Sequence, residues 1–278
     1  MSAQTHDLAR MQLPVRTAVP RSVLVSFIIP AHNEERLIGA TIRAIHESAG
    51  LIDGRAASID APSPTGATRP SFEYEIIVAD DASTDGTRAV AESLGARVVS
   101  HERRQIAATR NLGARAARGE RLFFIDADTR VTSLALHAAM RALDSGAAGG
   151  GGTVRMDGRV PLYARVMLYF LTISFRLMRL TGGCFVFCRR ETFEAAGGWD
   201  ETMYAGEEIE LAAALKRQGR FVIVPHPVIT SGRKLRTHSA WEILGFLPKA
   251  MWHGPAMMRQ REGLEIWYGP RRDDPALK

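Results

Sequence analysis

The chain has 278 residues, of which 46% are hydrophobic and 24% are charged. These proportions are typical of a globular protein with one large domain or two small ones, and the absence of any uncharged apolar run of about 18 residues argues against a spanning helix. The formal net charge of +6 favours anionic partners such as nucleotides, phosphorylated lipids, membrane surfaces or nucleic acid, and it does not choose among them.

The N-terminal segment, residues 1–22, is polar and lacks the apolar core of a secretory signal. We therefore expect a disordered basic arm and a cytoplasmic protein. An apolar stretch from Val166 to Phe175 is bracketed by arginines, which is typical of an amphipathic or interfacial helix on the inner face of the membrane. A buried helix of the core explains the same stretch equally well.

The first half of the chain alternates between strand and helix patterns. Val23 to Ile29 is a nearly continuous apolar run that stops at Pro30, which predicts a strand buried on both faces, and Ile38, Ile42 and Ile45 then have the spacing of one helix face. Further strands are predicted at Tyr74–Val78, Arg97–Val99 and Leu122–Ile125, helices from Thr87 and over Ile106–Ala117, and a surface loop over 53–70.

This alternation predicts a doubly wound α/β fold with a mainly parallel central sheet flanked by helices, in which ligands bind beyond the carboxyl ends of the strands. The second half is less regular. It contains a glycine run at Gly149–Gly152, a predicted strand at Cys184–Cys188 and a predicted helix from about Glu207 to Gln218.

Asp126 and Asp128 stand two residues apart where the fourth strand ends. If the strand geometry persists, both carboxylates point the same way and can converge on one hard cation, Mn²⁺ or Mg²⁺. Phosphate oxygens commonly complete the coordination of these ions, so the pair predicts a diphosphate ligand as well as a metal. A solvated turn with Thr129 as a helix cap is the competing interpretation.

Four segments in a fixed order extend this interpretation: FIIPAHNEE at 27–35, IVADDASTDGT at 77–87, RNLG at 110–113 and FIDADT at 124–129. With them, the sequence closely resembles the family 2 glycosyltransferases, which have the GT-A fold, a Rossmann-like fold of nucleotide-diphospho-sugar transferases. The resemblance covers about Val23 to Val224. It implies an inverting transferase whose donor is a nucleotide diphosphate sugar, with a divalent ion bridging the diphosphate.

The resemblance also assigns residues on the donor side. Pro30, His32 and Glu34, with Asn33 between them, match the loop that lines the nucleoside pocket, and Asp81 matches the acid that recognises the base. Asp128 is implied as the metal ligand, and Asp126 as a metal ligand that is shared with the ribose. A basic residue near the nucleotide is implied as well, and the sequence leaves Arg103, Arg104 and Arg110 open for that role.

An inverting transfer needs a base that removes the proton of the acceptor hydroxyl. The segment at 206–211 resembles the family's Glu-Asp motif at a helix start, with Glu208 in the Asp position, which is a departure from the commoner pattern. Glu207 is the alternative base. The same acids would also stabilise the first turn of any helix, so the cluster has a purely structural explanation too.

We interpret residues 23–232 as one glycosyltransferase domain, with a donor half at about 23–130 and an acceptor half at about 131–232. Residues 233–278 form a basic and aromatic extension that would serve as a lid, a membrane contact or a homodimer surface. The basic loop at 231–236 is the candidate lid. The nucleotide, the sugar and the acceptor, whether a sugar, a lipid or a small molecule, are left open.

Two other functions compete with this interpretation. A nucleotidyltransferase that makes nucleotide sugars would need a glycine-rich basic loop after the first strand, whereas residues 31–35 are acidic. A basic RNA-binding or membrane-binding module would not need acid clusters at three strand ends. We therefore expect no nucleic-acid partner.

Overall fold

The computed structural model describes residues 23–51, 56–58, 72–245, 255–269, 272 and 274. The predicted basic arm at 1–22 lies outside the described residues, as does most of the predicted surface loop at 53–70. Within that loop, Ala56–Ser58 forms a short strand instead.

The donor half has the predicted alternation of strands and helices. Its elements are β1 (Val23–Ala31), α1 (Glu35–Leu51), β2 (Ala56–Ser58), β3 (Phe72–Asp81), α2 (Thr87–Ser93), β4 (Arg97–His101), α3 (Ile106–Ala116) and β5 (Arg121–Ile125).

The remaining described elements cover the second half and the C-terminal extension. They are β6 (Thr129–Arg130), α4 (Ser133–Asp144), β7 (Gly149–Met156), α5 (Leu162–Met178), β8 (Phe185–Arg189), α6 (Arg190–Ala195), α7 (Glu207–Gln218), β9 (Phe221–Thr230), α8 (Arg233–Thr237), α9 (Ala240–Leu244), α10 (Pro255–Met258) and α11 (Glu265–Tyr268). The segment predicted as a basic loop at 231–236 therefore contains a short helix, α8.

The nine strands within the described residues form one sheet in the order β2-β3-β1-β5-β8-β7-β9-β6, with β4 also paired to β3. Neighbours are parallel throughout the donor half, and β8 runs antiparallel to both β5 and β7. The mainly parallel α/β sheet is thus confirmed, and the exceptions lie in the half where the sequence pattern is less regular.

Helices cover both faces of this sheet. Phe27 and Ile29 of β1 pack with α1 and α4 on one face, whereas Ile28 packs with α3 and α7 on the other. Because both faces are occupied by apolar side chains, polar side chains on these strands reach a ligand only at the strand ends.

The glycine run belongs to β7, and the close packing around that strand requires it. A Cβ atom at Gly150 would overlap the carbonyl oxygen of Val222, and one at Gly151 would overlap the side chain of Thr181. The run is therefore a feature of the sheet interior and not an irregular segment.

Candidate functional site

A cavity of about 210 Å³ opens at the carboxyl ends of β1, β3 and β5. Pro30 and Ala31 line it from β1, Asp81 from β3, and Asp126 and Asp128 from the turn after β5. Three polar clusters that are far apart in the sequence meet here because parallel strands end at the same edge of a sheet.

The cavity carries an excess of negative charge. Among the described residues, six acidic and four basic side chains line it: Glu34, Asp81, Asp126, Asp128, Glu207 and Glu208, with Arg104, Arg110, Arg233 and Lys234. Such an excess attracts a cation, and the interspersed basic groups suit an anionic ligand bound beside it.

The acid pair does not lie on a continued strand. β5 ends at Ile125, and a turn follows in which the backbone N–H of Thr129 donates to the carbonyl oxygen of Asp126 at 2.9 Å. Both carboxylates nevertheless line the cavity, with side chains that are 34% exposed for Asp126 and 18% exposed for Asp128. The two acids share a site through the turn and not through the strand alternation that we predicted.

Arg110 holds two of the acids in place. Its guanidinium donates to Glu207 Oε1 at 2.7 Å and to Asp126 Oδ1 at 2.8 Å, and it lies 4.4 Å from the centre of the Trp199 ring. Burial disfavours its charge, but Asp126 and Glu207 together raise the pKa of Arg110 above its ordinary value. Arg110 is therefore charged at every physiological pH and fixes both partners.

The packing of α3 explains why Arg110 reaches the cavity. A Cβ at Gly113 would overlap Ile28 Cγ2, so the glycine lets α3 lie close against β1. Asn111 accepts from the backbone N–H of Trp199 and donates to its carbonyl, which ties the 197–201 loop to the same helix. Trp199 is 2% exposed, so it belongs to the core and does not offer a face to a sugar.

Arg233 closes the opposite side of the cavity. It forms two hydrogen bonds to the Glu34 carboxylate, at 2.8 and 3.1 Å, and lies 3.7 Å from Asp128 Oδ2. All three side chains are largely buried. Helix α8 thus brings the basic segment predicted as a lid into direct contact with the acid pair.

Asp128 is crowded by negative charge. Burial, together with Glu34 and Asp126, raises its pKa to about 6, although Lys234 and Arg233 counteract the shift. A bound divalent cation would remove this crowding, because it would interact favourably with the ionised carboxylate.

The donor atoms of the acid pair suit Mg²⁺ or Mn²⁺. Both ions prefer hard oxygen ligands and usually keep several non-protein ligands. In the described part of the chain, no group of three or more His, Cys, Asp or Glu side chains is arranged to hold a metal by itself. The residues therefore fit a metal whose coordination is completed by the phosphate oxygens of a ligand.

Asp81 and His32 lie at the opposite end of the acid cluster. The Asp81 carboxylate accepts from the backbone N–H groups of Arg104 and Gln105 at 2.7 and 2.8 Å and from the hydroxyl of Thr109 at 2.8 Å. His32 Nδ1 lies 2.7 Å from the carbonyl oxygen of Asp81 and must donate to it, since a carbonyl only accepts. Asp81 thus anchors the start of α3 and keeps acceptor capacity for one further donor.

Two residues that we predicted to bind the donor lie outside the cavity lining. Asn33 has a φ of 51° and links two loops, since its backbone N–H donates to Ser83 and its side chain accepts from the backbone of Thr84. The side chain of Arg103 is 59% exposed and pairs with Glu201. The other two arginines that the sequence left open, Arg104 and Arg110, both line the cavity.

Glu207 and Glu208 differ in their surroundings although they are adjacent at the start of α7. Glu207 is 5% exposed and hydrogen bonded to Arg110. No hydrogen bond or ion pair joins the Glu208 carboxylate to another side chain within the described residues. Burial and the charge of Glu207 raise the pKa of Glu208 to about 7, against the opposing effect of Arg110.

One wall of the cavity is aromatic, which no sequence pattern predicted. Tyr204, Trp267 and Tyr268 line it, and the Tyr268 hydroxyl donates to the carbonyl oxygen of Tyr204 at 2.9 Å. Lys234 of α8 lies 5.4 Å from the centre of the Trp267 ring. The two aromatics of α11 stand in a short helix without periodicity or motif, so only tertiary structure reveals their position.

We expect Arg233→Ala to destabilise the fold by about 3 kcal/mol, because it removes both hydrogen bonds that Arg233 donates to the buried Glu34 carboxylate. Urea unfolding measures the loss. Adding Glu34→Gln to this variant should recover part of it, since the charge that Arg233 compensated is then no longer buried. If the double variant is no more stable than Arg233→Ala, the lost compensation of the Glu34 charge does not cause the destabilisation.

Comparisons with known proteins give the family and the fold. The sequence model described as "Glycosyl transferase family 2" matches residues 26–189. No curated protein sequence matches the chain significantly. Many solved structures do match it. Three of them share 17–21% of their residues with the chain, a level that indicates the fold alone.

These three structures illustrate the similarity. The mannosyltransferase PcManGT from Pyrobaculum calidifontis, solved with GDP-Man and Mn²⁺, has 20% identity and a TM-score of 0.60, over 90% of this chain and 68% of that one. Glucosyl-3-phosphoglycerate synthase from Mycobacterium tuberculosis, solved with Mn²⁺, UDP and glucosyl-3-phosphoglycerate, has 21% identity and a TM-score of 0.52, over 90% and 82%. TarS from S. aureus has 17% identity and a TM-score of 0.52, over 83% and 65%.

Proposed function

Because this chain belongs to glycosyltransferase family 2 and has the GT-A fold, we propose that it is an inverting enzyme that moves a sugar from a nucleotide diphosphate to an acceptor hydroxyl. The observation that carries the proposal is the convergence of the acid pair, a separate carboxylate with a raised pKa and two buried arginines in one cavity. The chemistry needs a cation site, an anion site and a base, and the cavity provides residues for each.

The donor lies along the carboxyl edge of β1, β3 and β5 in this proposal. Pro30 and His32 contact the nucleoside, and Asp81 accepts a hydrogen bond from a ring N–H of the base. Arg233 and Lys234 face the diphosphate from α8, where their charges offset those of the phosphates. The same protein groups stabilise the charge that develops on the leaving diphosphate.

Asp128 and Asp126 would hold the divalent ion. When bound, such an ion neutralises charge on the diphosphate and so makes it a better leaving group. Arg110 orients Asp126 through the 2.8 Å hydrogen bond. The neighbouring structures with Mn²⁺ and a nucleotide or nucleotide sugar support this arrangement.

Glu208 is the proposed base, and its surroundings favour it over Glu207. The Glu207 carboxylate is held in an ion pair with Arg110, so one of its oxygens already has a charged hydrogen-bond donor. Glu208 has a pKa raised to about 7, which suits proton transfer near neutral pH. Both glutamates begin α7 and line the cavity.

The proposed reaction is a single displacement. The acceptor hydroxyl gives its proton to Glu208, and its oxygen bonds to the anomeric carbon from the face opposite the diphosphate. The bond from that carbon to the phosphate oxygen breaks, and the nucleotide diphosphate leaves with the electron pair. The configuration at the anomeric carbon is inverted.

Trp267 and Tyr268 enclose the donor end in this proposal. The Tyr268 hydroxyl lies 3.5 Å from the backbone nitrogen of Ile106, next to the Asp81 cluster, so α11 borders the nucleoside region. This supports the C-terminal extension acting as a lid. A flat apolar ring beside the base excludes water and gives a stacking surface.

A thermal-shift panel tests the proposal. Uridine, guanosine and thymidine diphosphate sugars are added with Mn²⁺, and with a chelator as the control. At a concentration of about 100 times Kd, the cognate donor should raise Tm by roughly 5 °C or more, and only with the metal present. If no donor stabilises the protein with Mn²⁺, the proposed nucleotide-sugar site is wrong.

A further inference from the structure

Helix α5 (Leu162–Met178) has an apolar face that points away from the protein. Eight of its apolar side chains are 40–80% exposed, and six of these recur at helical spacing: Leu162, Val166, Tyr169, Phe170, Ile173 and Leu177. Their spacing of three or four residues places them on one side of the helix. We call these six residues the α5 outer face.

A second apolar stripe faces the protein. Ala164 is buried, and Leu168 and Phe175 are partly buried on the same side of the helix. A helix at the surface of a globular protein usually has a polar outer side, and α5 does not. A contiguous exposed apolar surface of this kind indicates an interaction site.

The charges around α5 are all positive. The sequence contains no Asp or Glu between Asp157 and Glu191, whereas arginines stand at 159, 165, 176 and 179. Arg165 and Arg176 are exposed, and the helical projection puts both along one edge of the α5 outer face. An apolar face edged with arginine is complementary to lipid tails beside anionic headgroups.

We propose that the α5 outer face docks on an anionic lipid bilayer, with the helix lying in the plane of the membrane surface. The apolar side chains enter the acyl boundary, while the arginines extend to the phosphate level. No helix among the described residues is long and apolar enough to cross a membrane. A second copy of the chain fits less well, because two-fold pairing would bring a second set of arginines to the same surface.

Docking would place the cavity near the headgroups. Residues 179–183 lead from the end of α5 to Gly183, which lines the cavity, and five extended residues span at most about 18 Å. The proposal concerns only this surface and holds whatever sugar the enzyme transfers.

Co-sedimentation of the full chain with vesicles tests the proposal. We expect binding to vesicles that contain phosphatidylglycerol, and weak binding to pure phosphatidylcholine. The double variant Phe170→Glu with Leu177→Glu should lower this binding by about tenfold or more, because two charges then face the acyl boundary. Leu134→Glu is the matched control, since Leu134 is 62% exposed on α4, and it should bind as the wild type does.

A second pair of substitutions separates charge from apolar contact. Arg165→Ala with Arg176→Ala should weaken binding to phosphatidylglycerol vesicles by about 30-fold, at roughly a factor of five for each arginine. Binding to phosphatidylcholine should not change. Unaltered circular dichroism and Tm establish that each variant is folded.

Two results would overturn the proposal. One is wild-type protein that stays in solution with phosphatidylglycerol vesicles. The other is a dimer in light scattering that the Phe170→Glu and Leu177→Glu variant converts to monomer, with no difference in vesicle binding, since the face would then be a self-interface.

Discussion

Asp128→Asn should abolish the metal-dependent stabilisation by nucleotide diphosphate while leaving the unliganded protein at least as stable as the wild type. Burial and the nearby Glu34 and Asp126 carboxylates raise the pKa of Asp128 to about 6, so the ionised side chain is under repulsion in the folded protein. The amide has nearly the same shape and removes that repulsion. It also removes the anionic ligand that a hard cation requires.

The measurement is Tm with and without Mn²⁺ and the cognate nucleotide diphosphate. A shift of roughly 5 °C at about 100 times Kd should fall to nearly zero in the variant. Asp144→Asn is the control, because Asp144 is an exposed acid whose ion pair with Arg121 lies outside the cavity lining. An undiminished shift in Asp128→Asn would remove Asp128 from the metal site.

Glu208→Gln should lower the transfer rate by about 10²- to 10⁴-fold, which is the usual contribution of a general base. The donor Kd should stay within about twofold, because Glu208 is not proposed to touch the diphosphate. Glu210→Gln is the matched control, since Glu210 is exposed on the same helix and lies outside the cavity lining. Comparable rates in the Glu208 variant and the control would assign the base elsewhere.

The pH profile gives an independent test of the same residue. The base acts in its ionised form, and its pKa is raised to about 7, so kcat/KM should be constant above pH 7 and fall about tenfold per unit below it. In Glu208→Gln the residual rate should lose this dependence. If kcat/KM of the variant still falls below pH 7, another group causes that fall.

The order of elements in the donor half follows from local patterns. The apolar run from Val23 to Ile29 becomes β1, and the start of α3 at Ile106 coincides with the predicted helix. The type and bounds of a helix or strand depend on side chains a few residues apart, so the periodicity of apolar residues predicts them directly. The same patterns brought the acids at 81, 126 and 128 to strand ends, and hence to one edge of the sheet.

The orientation of the other site residues depends on helix packing and on contacts between residues far apart in the sequence. The sequence could not separate Arg103 from Arg110, because both stand near the start of α3 and only the close contact of that helix with β1 turns Arg110 inward. It also could not separate Glu207 from Glu208, because the pairing of Glu207 with Arg110 joins residues 97 positions apart.

Among the described residues, the side-chain hydrogen bond with the largest sequence separation joins Glu34 and Arg233, which are 199 positions apart. No periodicity in the sequence predicts their ion pair. None predicts that Trp267 and Tyr268 line the same cavity either. Local periodicity reports which side of an element faces the core, and it carries no information about which distant element supplies the neighbour. The strand-end acids could therefore be located from sequence, whereas their partners and their pKa values follow only from the folded arrangement.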